Sequence, residues 1–310
     1  MNQNTAFRLG AALVLLAGSV LLSAQQIPGV PTVPSSPAKQ FGGSISPAFE
    51  GWFDNPDGTH SFLIGYYSRN TQSEIDIPIG PNNHFEPGNP DMGQPTHFLT
   101  RRRFGMFVVT MPKEFTRTQK ITWTLSANGI PISVPFYMHT DYNLTPLKSS
   151  EESPNREFNR PPVLKFTEAG PTTAGPLATG LKPSLERTAK VGTPMPIDTW
   201  VDDDALYSTG GNAPMTGERP PITLTVSKYR GPGTVTVSTP AKFTNLKGGK
   251  ALEPYAGKAS PAVTFSEPGE YLLHVNANDF SGNGGGGSGC CWTTVIMKVT
   301  VTGGTTAGGQ

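Results

Sequence analysis

Apolar positions in this chain recur at intervals of two and in short runs. Residues 61–67 (SFLIGYY) are apolar on both faces, which fits a strand buried on both sides, and 49–53 precedes them across the turn sequence DNPDG at 54–58. Ile75, Ile77 and Ile79 alternate with Asp76 and Pro78, which predicts a half-buried, edge-like strand. Residues 104–111 (FGMFVVTM) read as the next core strand. Ile121, Trp123 and Leu125 then share one face of 120–125, Asn128 and Gly129 supply a two-residue hairpin, and 130–138 (IPISVPFYM) is the return strand, its prolines pointing to an edge. No helical period interrupts this series. An antiparallel β-sandwich is the arrangement that buries such faces.

The second half repeats the style but not the sequence. Strands are predicted at 163–166, 197–202, 222–228, 234–238, 262–266, 270–277 and 292–302, the spacing of a second sandwich. Between the halves, 141–162 is polar with mixed charge and reads as a linker. The loop at 80–96 (GPNNHFEPGNPDMGQPT) is long for a compact domain, and such loops usually carry function or move. The first residues differ from all of this. Arg8 followed by the uncharged apolar run 9–22, then Ser23 and Ala24, predicts an export signal cut after Ala24; the run is too short to span a bilayer comfortably. The expected layout is a signal at 1–24, a Pro/Gly/Ser leader at 25–47, a sandwich at 48–140, the linker at 141–162, a second sandwich at 163–302 and a flexible tail at 303–310.

Composition sharpens this picture in two places. The 36 glycines and 31 prolines among 310 residues disfavour long helices. A net charge of +1 with 15% charged residues provides no field for nucleic acid or an anionic membrane, so neither is an expected partner.

Pro268, Gly269 and Tyr271, followed by Leu273, Val275 and Ala277 at alternate positions, resemble the penultimate strand of immunoglobulin-like sandwiches. The resemblance places Tyr271 at a corner, where its hydroxyl bonds back to the chain while its ring caps the core. Leu273 stands where true immunoglobulin domains carry a cysteine, so the inter-sheet disulfide is not implied. The sequence VGTP at 191–194, NAND at 276–279 and the final strand 295–301 are similar to cadherin-like and other bacterial extracellular modules. The first half, with FEGWFDNPDG and SFLIGYY, resembles secreted bacterial proteins and carries no residue roles across. The fold class that follows is all-β: two antiparallel β-sandwich domains, the second immunoglobulin-like.

In cadherin-like modules, carboxylates at strand ends hold Ca²⁺ through oxygen ligands. The resemblance therefore marks Asp202, Asp204 and Asp279 as a calcium set, against the plainer reading of a solvated acidic loop. No cofactor is expected beyond the calcium that this resemblance implies. Cys290 and Cys291, the chain's two cysteines, leave three readings open in an oxidising compartment: a vicinal disulfide, two thiols buried beside Trp292, or pairing with another molecule or a metal. The loop at 80–97 holds His84, His97, Glu86 and Asp91, a conceivable metal or general-base site, though without the close histidine spacing that makes such a reading specific. There is no Gly-x-Ser-x-Gly, and the glycines at 282–289 precede a strand rather than a phosphate-binding helix. Arg101, Arg102 and Arg103 could meet an acidic partner or simply end a strand in solvent. Trp52, Tyr66, Tyr67, Trp123 and Tyr137 read as core before they read as a sugar-stacking face. Function is accordingly expected to be non-catalytic: an exported, periplasmic or secreted protein of binding, adhesion or envelope structure, with an extracellular protein or glycan as partner. The alternative is a secreted hydrolase or metal-dependent enzyme using the 80–97 loop.

Overall fold

The computed structural model describes residues 37–148, 159–204, 222–238, 242–248, 253–279 and 290–303. The export signal, most of the leader, the middle of the linker and the glycine-rich loop lie outside the described residues.

In the first half the strands are β1 (Ile45–Asp54), β2 (His60–Ser68), β3 (Ile75–Asp76), β4 (Asn83–Glu86), β5 (His97–Phe98), β6 (Arg101–Met111), β7 (Ile121–Ala127) and β8 (Ile130–Phe136). The sheet β1-β2-β6 packs over the sheet β4-β7-β8, and all these pairings are antiparallel. The rings of Phe62, Phe85, Phe107, Trp123 and Phe136 fill the space between them. Phe85 stacks on Trp123 at 5.6 Å, and Phe107 meets the same indole edge-on at 5.4 Å. Asn128 and Gly129 both take positive φ, 53° and 75°, which is what a two-residue hairpin with the native strand twist requires.

Strand pairing starts earlier than the expected domain edge at 48. β1 opens at Ile45, and Asn70 anchors the chain just ahead of it. The Asn70 side chain accepts from Gly43 N (2.7 Å) and donates to Gly43 O (3.0 Å), standing in for a strand partner. The Ile75–Ile77–Ile79 alternation yields only a two-residue strand. Pro78 has no N–H to extend the ladder, and Asn83 Nδ2 takes the Ile77 carbonyl instead.

The second half contains β9 (Val163–Lys165), β10 (Leu185–Lys190), β11 (Met195–Pro196), β12 (Thr199–Asp203), β13 (Thr223–Arg230), β14 (Val235–Val237), β15 (Thr244–Lys247), β16 (Tyr255–Ala259), β17 (Ala262–Phe265), β18 (Gly269–Asn278) and β19 (Trp292–Thr302). One face is the sheet β10-β19-β18-β13, antiparallel except that β10 runs parallel to β19. The other is made by β15-β16-β12-β9 and β11-β17-β14. The chain is therefore all-β, and among the described residues its one helical turn is 3₁₀, at Thr140–Tyr142. No helix among the described residues is long and apolar enough to cross a membrane. Tyr271 occupies the corner expected of it: its ring is buried against Phe265 (4.8 Å) and its hydroxyl donates to the Glu267 carbonyl at 2.9 Å.

The two halves share a buried seam. On β19 the alternation sends Val295, Met297, Val299 and Val301 into the second core, while Ile296 joins the first core together with Tyr229 and Ala178. Trp292 closes a third cluster with Phe53, Leu63, Val108 and Leu144. The segment expected as a loop at 80–96 contains β4, which pairs with β7; its remainder lies along this seam. Arg230 forks onto Asp91 (2.7 and 2.9 Å), and the Tyr229 hydroxyl donates to the Gly93 carbonyl at 2.5 Å. Asn83 pins the loop's ends, donating to Ile77 O and Pro95 O while accepting from Trp123 Nε1.

Candidate functional site

Register builds the site. In β13, β18 and β19, residues directly opposite one another point to the same face. The inner face carries Leu224, Leu273, Val275, Ala277, Val295 and Met297. The outer face carries three cross-strand rungs: Thr223–Asn278–Trp292, Thr225–Asn276–Thr294 and Ser227–His274–Ile296. Most of these side chains are polar. Asn276 Nδ2 reaches Thr294 Oγ1 at 3.2 Å, tying the middle rung together.

Opposite this floor stands the start of β6. Between Arg103 and Phe107 the strand places Phe104, Gly105 and Met106 against Gly65 alone, a bulge that turns their side chains away from the regular ladder. Gly65 is required here by close approach, since a Cβ would overlap the Arg103 carbonyl and the Glu50 carboxylate. The wall is held from behind. Leu99 N donates to the Tyr66 hydroxyl (2.8 Å), Arg103 Nε donates to Thr100 O (3.1 Å), and Arg102 donates to Arg103 O (2.6 Å). Arg102 also pairs with the buried Glu50 carboxylate at 2.6 and 2.7 Å and covers the Phe104 ring at 4.0 Å. Burial pushes the Glu50 pKa up, and the Arg102 guanidinium opposes that shift.

Between floor and wall lies a half-open cleft of about 550 Å³, within the range of small-molecule sites. Two buried side chains that line it are incompletely bonded. His274 donates one ring N–H to the Met106 backbone and stacks on Tyr229 (6.1 Å), but its Nε2 has no partner among the described residues. Burial pushes the His274 pKa down to about 4, so the ring is neutral at physiological pH and Nε2 is a hydrogen-bond acceptor. The Trp292 indole Nε1, a donor only, also lacks a partner among the described residues. Each such buried orphan costs about 1–3 kcal/mol, which is why native proteins keep few of them.

The residues singled out in the sequence fall elsewhere. Cys290 and Cys291 are disulfide-bonded to each other and buried, immediately ahead of Trp292. Asp202 pairs with Lys165 at 3.3 Å, Asp204 accepts from Arg160 N at 3.1 Å, and the buried Asp279 accepts from Asn159 Nδ2 at 2.8 Å. Asp204 and Asp279 are thus both anchored to the end of the predicted linker, whereas Asp202 faces β9. Among the described residues no three His, Cys, Asp or Glu side chains gather in a geometry that could hold a metal ion. In the 80–97 loop, His97 lies between Glu74 (3.0 Å) and Asp76 (2.9 Å), Asp91 is held by Arg230, and His84 sits on β4 opposite Thr124. Of the arginine run, Arg102 and Arg103 line the cleft while Arg101 is exposed. Trp52, Tyr66 and Trp123 are core, as their strand spacing implied. Sequence reasoning did not find the cleft. The alternation of His274, Asn276 and Asn278 against Leu273, Val275 and Ala277 was visible, but nothing local indicates that β6 closes over the polar side.

No family model matches the chain, and no curated protein sequence matches it. Among solved structures, it is similar to domains 4 and 5 of the S-layer protein SbsC, at 11% identity over 80% of this chain and 87% of that one, with a TM-score of 0.19. It is also similar to cadherin-like domains 1 to 4 of zebrafish RET, at 14% identity over 76% of this chain and 44% of that one, with a TM-score of 0.25. Fold and function therefore rest on this chain's own residues.

Proposed function

We propose that this chain is an exported, non-catalytic binding protein of the cell envelope or its surroundings, working in ligand capture, adhesion or envelope organisation. The observation that carries the reading is the cleft at the seam. Its wall is fixed by hydrogen bonds and its floor by strand register, yet a buried donor and a buried acceptor in it have no partner among the described residues. A preformed site of this kind suits recognition, because little ordering is left for the ligand to impose. Export is supported by the apolar run 9–22 behind Arg8, and by a disulfide between Cys290 and Cys291, a bond that persists in oxidising compartments.

The enzymatic alternative at the 80–97 loop has less to support it. His97 and Asp91 are engaged by separate partners, one on the β3–β5 pair and the other across the seam. Expression of the full chain in a bacterial host, followed by fractionation and N-terminal sequencing, tests the export half of the reading. A mature protein beginning at Gln25 outside the cytoplasm is expected; an uncut cytoplasmic protein would overturn it. A panel of chromogenic glycoside, ester and peptide substrates tests the other half, where any turnover abolished by His97→Ala would return the loop to consideration.

A further inference from the structure

The cleft defines what can occupy it. Its floor presents hydroxyl and amide groups, which both donate and accept, in register across three strands. Among the described residues, two buried side-chain atoms that line it lack a partner: one acceptor, His274 Nε2, and one donor, Trp292 Nε1. A carboxylate or phosphate would satisfy the indole but face the lone pair of a neutral imidazole; an ammonium would do the reverse. A hydroxyl group satisfies either. Of the charges that line it, Arg102 is paired with Glu50 and Glu74 with His97, while Arg103 is held through Nε by the Thr100 carbonyl. Phe104 adds apolar surface of the kind that packs against the C–H faces of a sugar ring.

We infer that the cleft between the outer face of β13–β18–β19 and the β6 bulge is a binding site for a neutral, polyhydroxylated ligand, a small oligosaccharide. The site deepens the non-catalytic binding role proposed above and rests on it. Ligand hydroxyls accept from Trp292 Nε1 and donate to His274 Nε2, while Thr225 and Asn276 between them contact the adjoining hydroxyls. The pinned wall makes the site specific by shape and by hydrogen-bond pattern rather than by charge.

The experiment uses the full-length mature protein against immobilised neutral, amino and uronic-acid oligosaccharides, followed by calorimetry on the ones that bind. Thr225 is exposed on the edge strand β13, so Thr225→Tyr fills the cleft with little expected effect on folding. Trp292→Phe keeps an aromatic ring but removes the orphan donor. Binding of one or more neutral oligosaccharides is expected, lost by at least about tenfold in Thr225→Tyr and weakened about threefold to tenfold in Trp292→Phe, the loss of one neutral hydrogen bond. If Thr225→Tyr does not fold, Trp292→Phe decides alone. Absence of neutral-sugar binding, binding confined to uronic acids, or undiminished binding in a folded variant overturns the site. Chromatography of the bound sugar after long incubation separates the two readings, since cleavage products would end the non-catalytic role while leaving the site in place.

Discussion

Gly105 packs directly against Trp292 of the second half, and Gly105→Ala measures how tightly the halves are fitted. The residue has φ 44°, in the left-handed region, where a side chain costs about 1–2 kcal/mol. A Cβ there would overlap Trp292 Cζ2, lie 3.0 Å from Trp292 Cε2 and 3.3 Å from Leu63 Cδ1. The indole is buried in a cluster with Phe53, Leu63, Val108 and Leu144, so it cannot simply move away. Overpacking of this kind costs about 1–3 kcal/mol, giving about 2–5 kcal/mol in total. A loss of about 3 kcal/mol would lower Tm by roughly 6–12 °C in a chain of this size. Urea denaturation followed by tryptophan fluorescence measures the loss, and a double-mutant cycle assigns it. Trp292→Ala alone should cost about 3–5 kcal/mol. In its background the overlap vanishes, so Gly105→Ala should then cost only the backbone term of about 1–2 kcal/mol. A Gly105→Ala protein within about 0.5 kcal/mol of the parent, or costs that simply add in the double variant, would refute a seam packed around this glycine.

Three further outcomes follow from other contacts. Because the buried His274 titrates near 4 while the unfolded chain takes up its proton near 6.5, its contribution is full above about pH 6.5 and is lost as pH falls toward 4, by about 3 kcal/mol; urea midpoints of the parent should show this slope and those of His274→Phe should lack it, so equal slopes refute the assignment. Arg102→Ala leaves the Glu50 carboxylate buried without its partner and should cost about 3–5 kcal/mol at pH 7. Burial already raises the Glu50 pKa, and removing Arg102 raises it further, so the native state gains its proton first and the deficit should shrink as pH falls from 7 to 5; a deficit that stays flat contradicts this. Tyr271→Phe removes the bond to the Glu267 carbonyl and should lower stability by about 1 kcal/mol with an unchanged denaturant slope, whereas no change would deny the corner its role.

Short-range features were legible in the sequence because their causes are short-range. The Asn128–Gly129 turn needs only two residues of positive φ, and Tyr271 with Leu273, Val275 and Ala277 needs only a period of two. β16 escaped notice because YAGKA has weak strand-forming residues and is held by its neighbours β12 and β15. The cleft escaped for a different reason. Its floor comes from β13, β18 and β19 and its wall from β6, and no local pattern records that Trp292 seats on Gly105 or that Tyr229 reaches Gly93. The 80–96 loop was marked as functional by its length and histidines. Its actual partners are Arg230 and Tyr229, whose side chains lie beyond any sequence window.

β19 also sets the order of assembly. Consecutive residues of this strand belong to different cores, Ile296 to the first and Val295 and Met297 to the second. A chain emerging N-terminus first can pair β1 with β2 and β7 with β8 early, but its first core waits for Ile296 on β19. Folding of both cores is therefore completed only once β19 has been released, and contacts of such long range form slowly. A chain cut short before β19 leaves both cores open together, so an incomplete product is exposed as one defective body rather than passing as one sound half and one missing half.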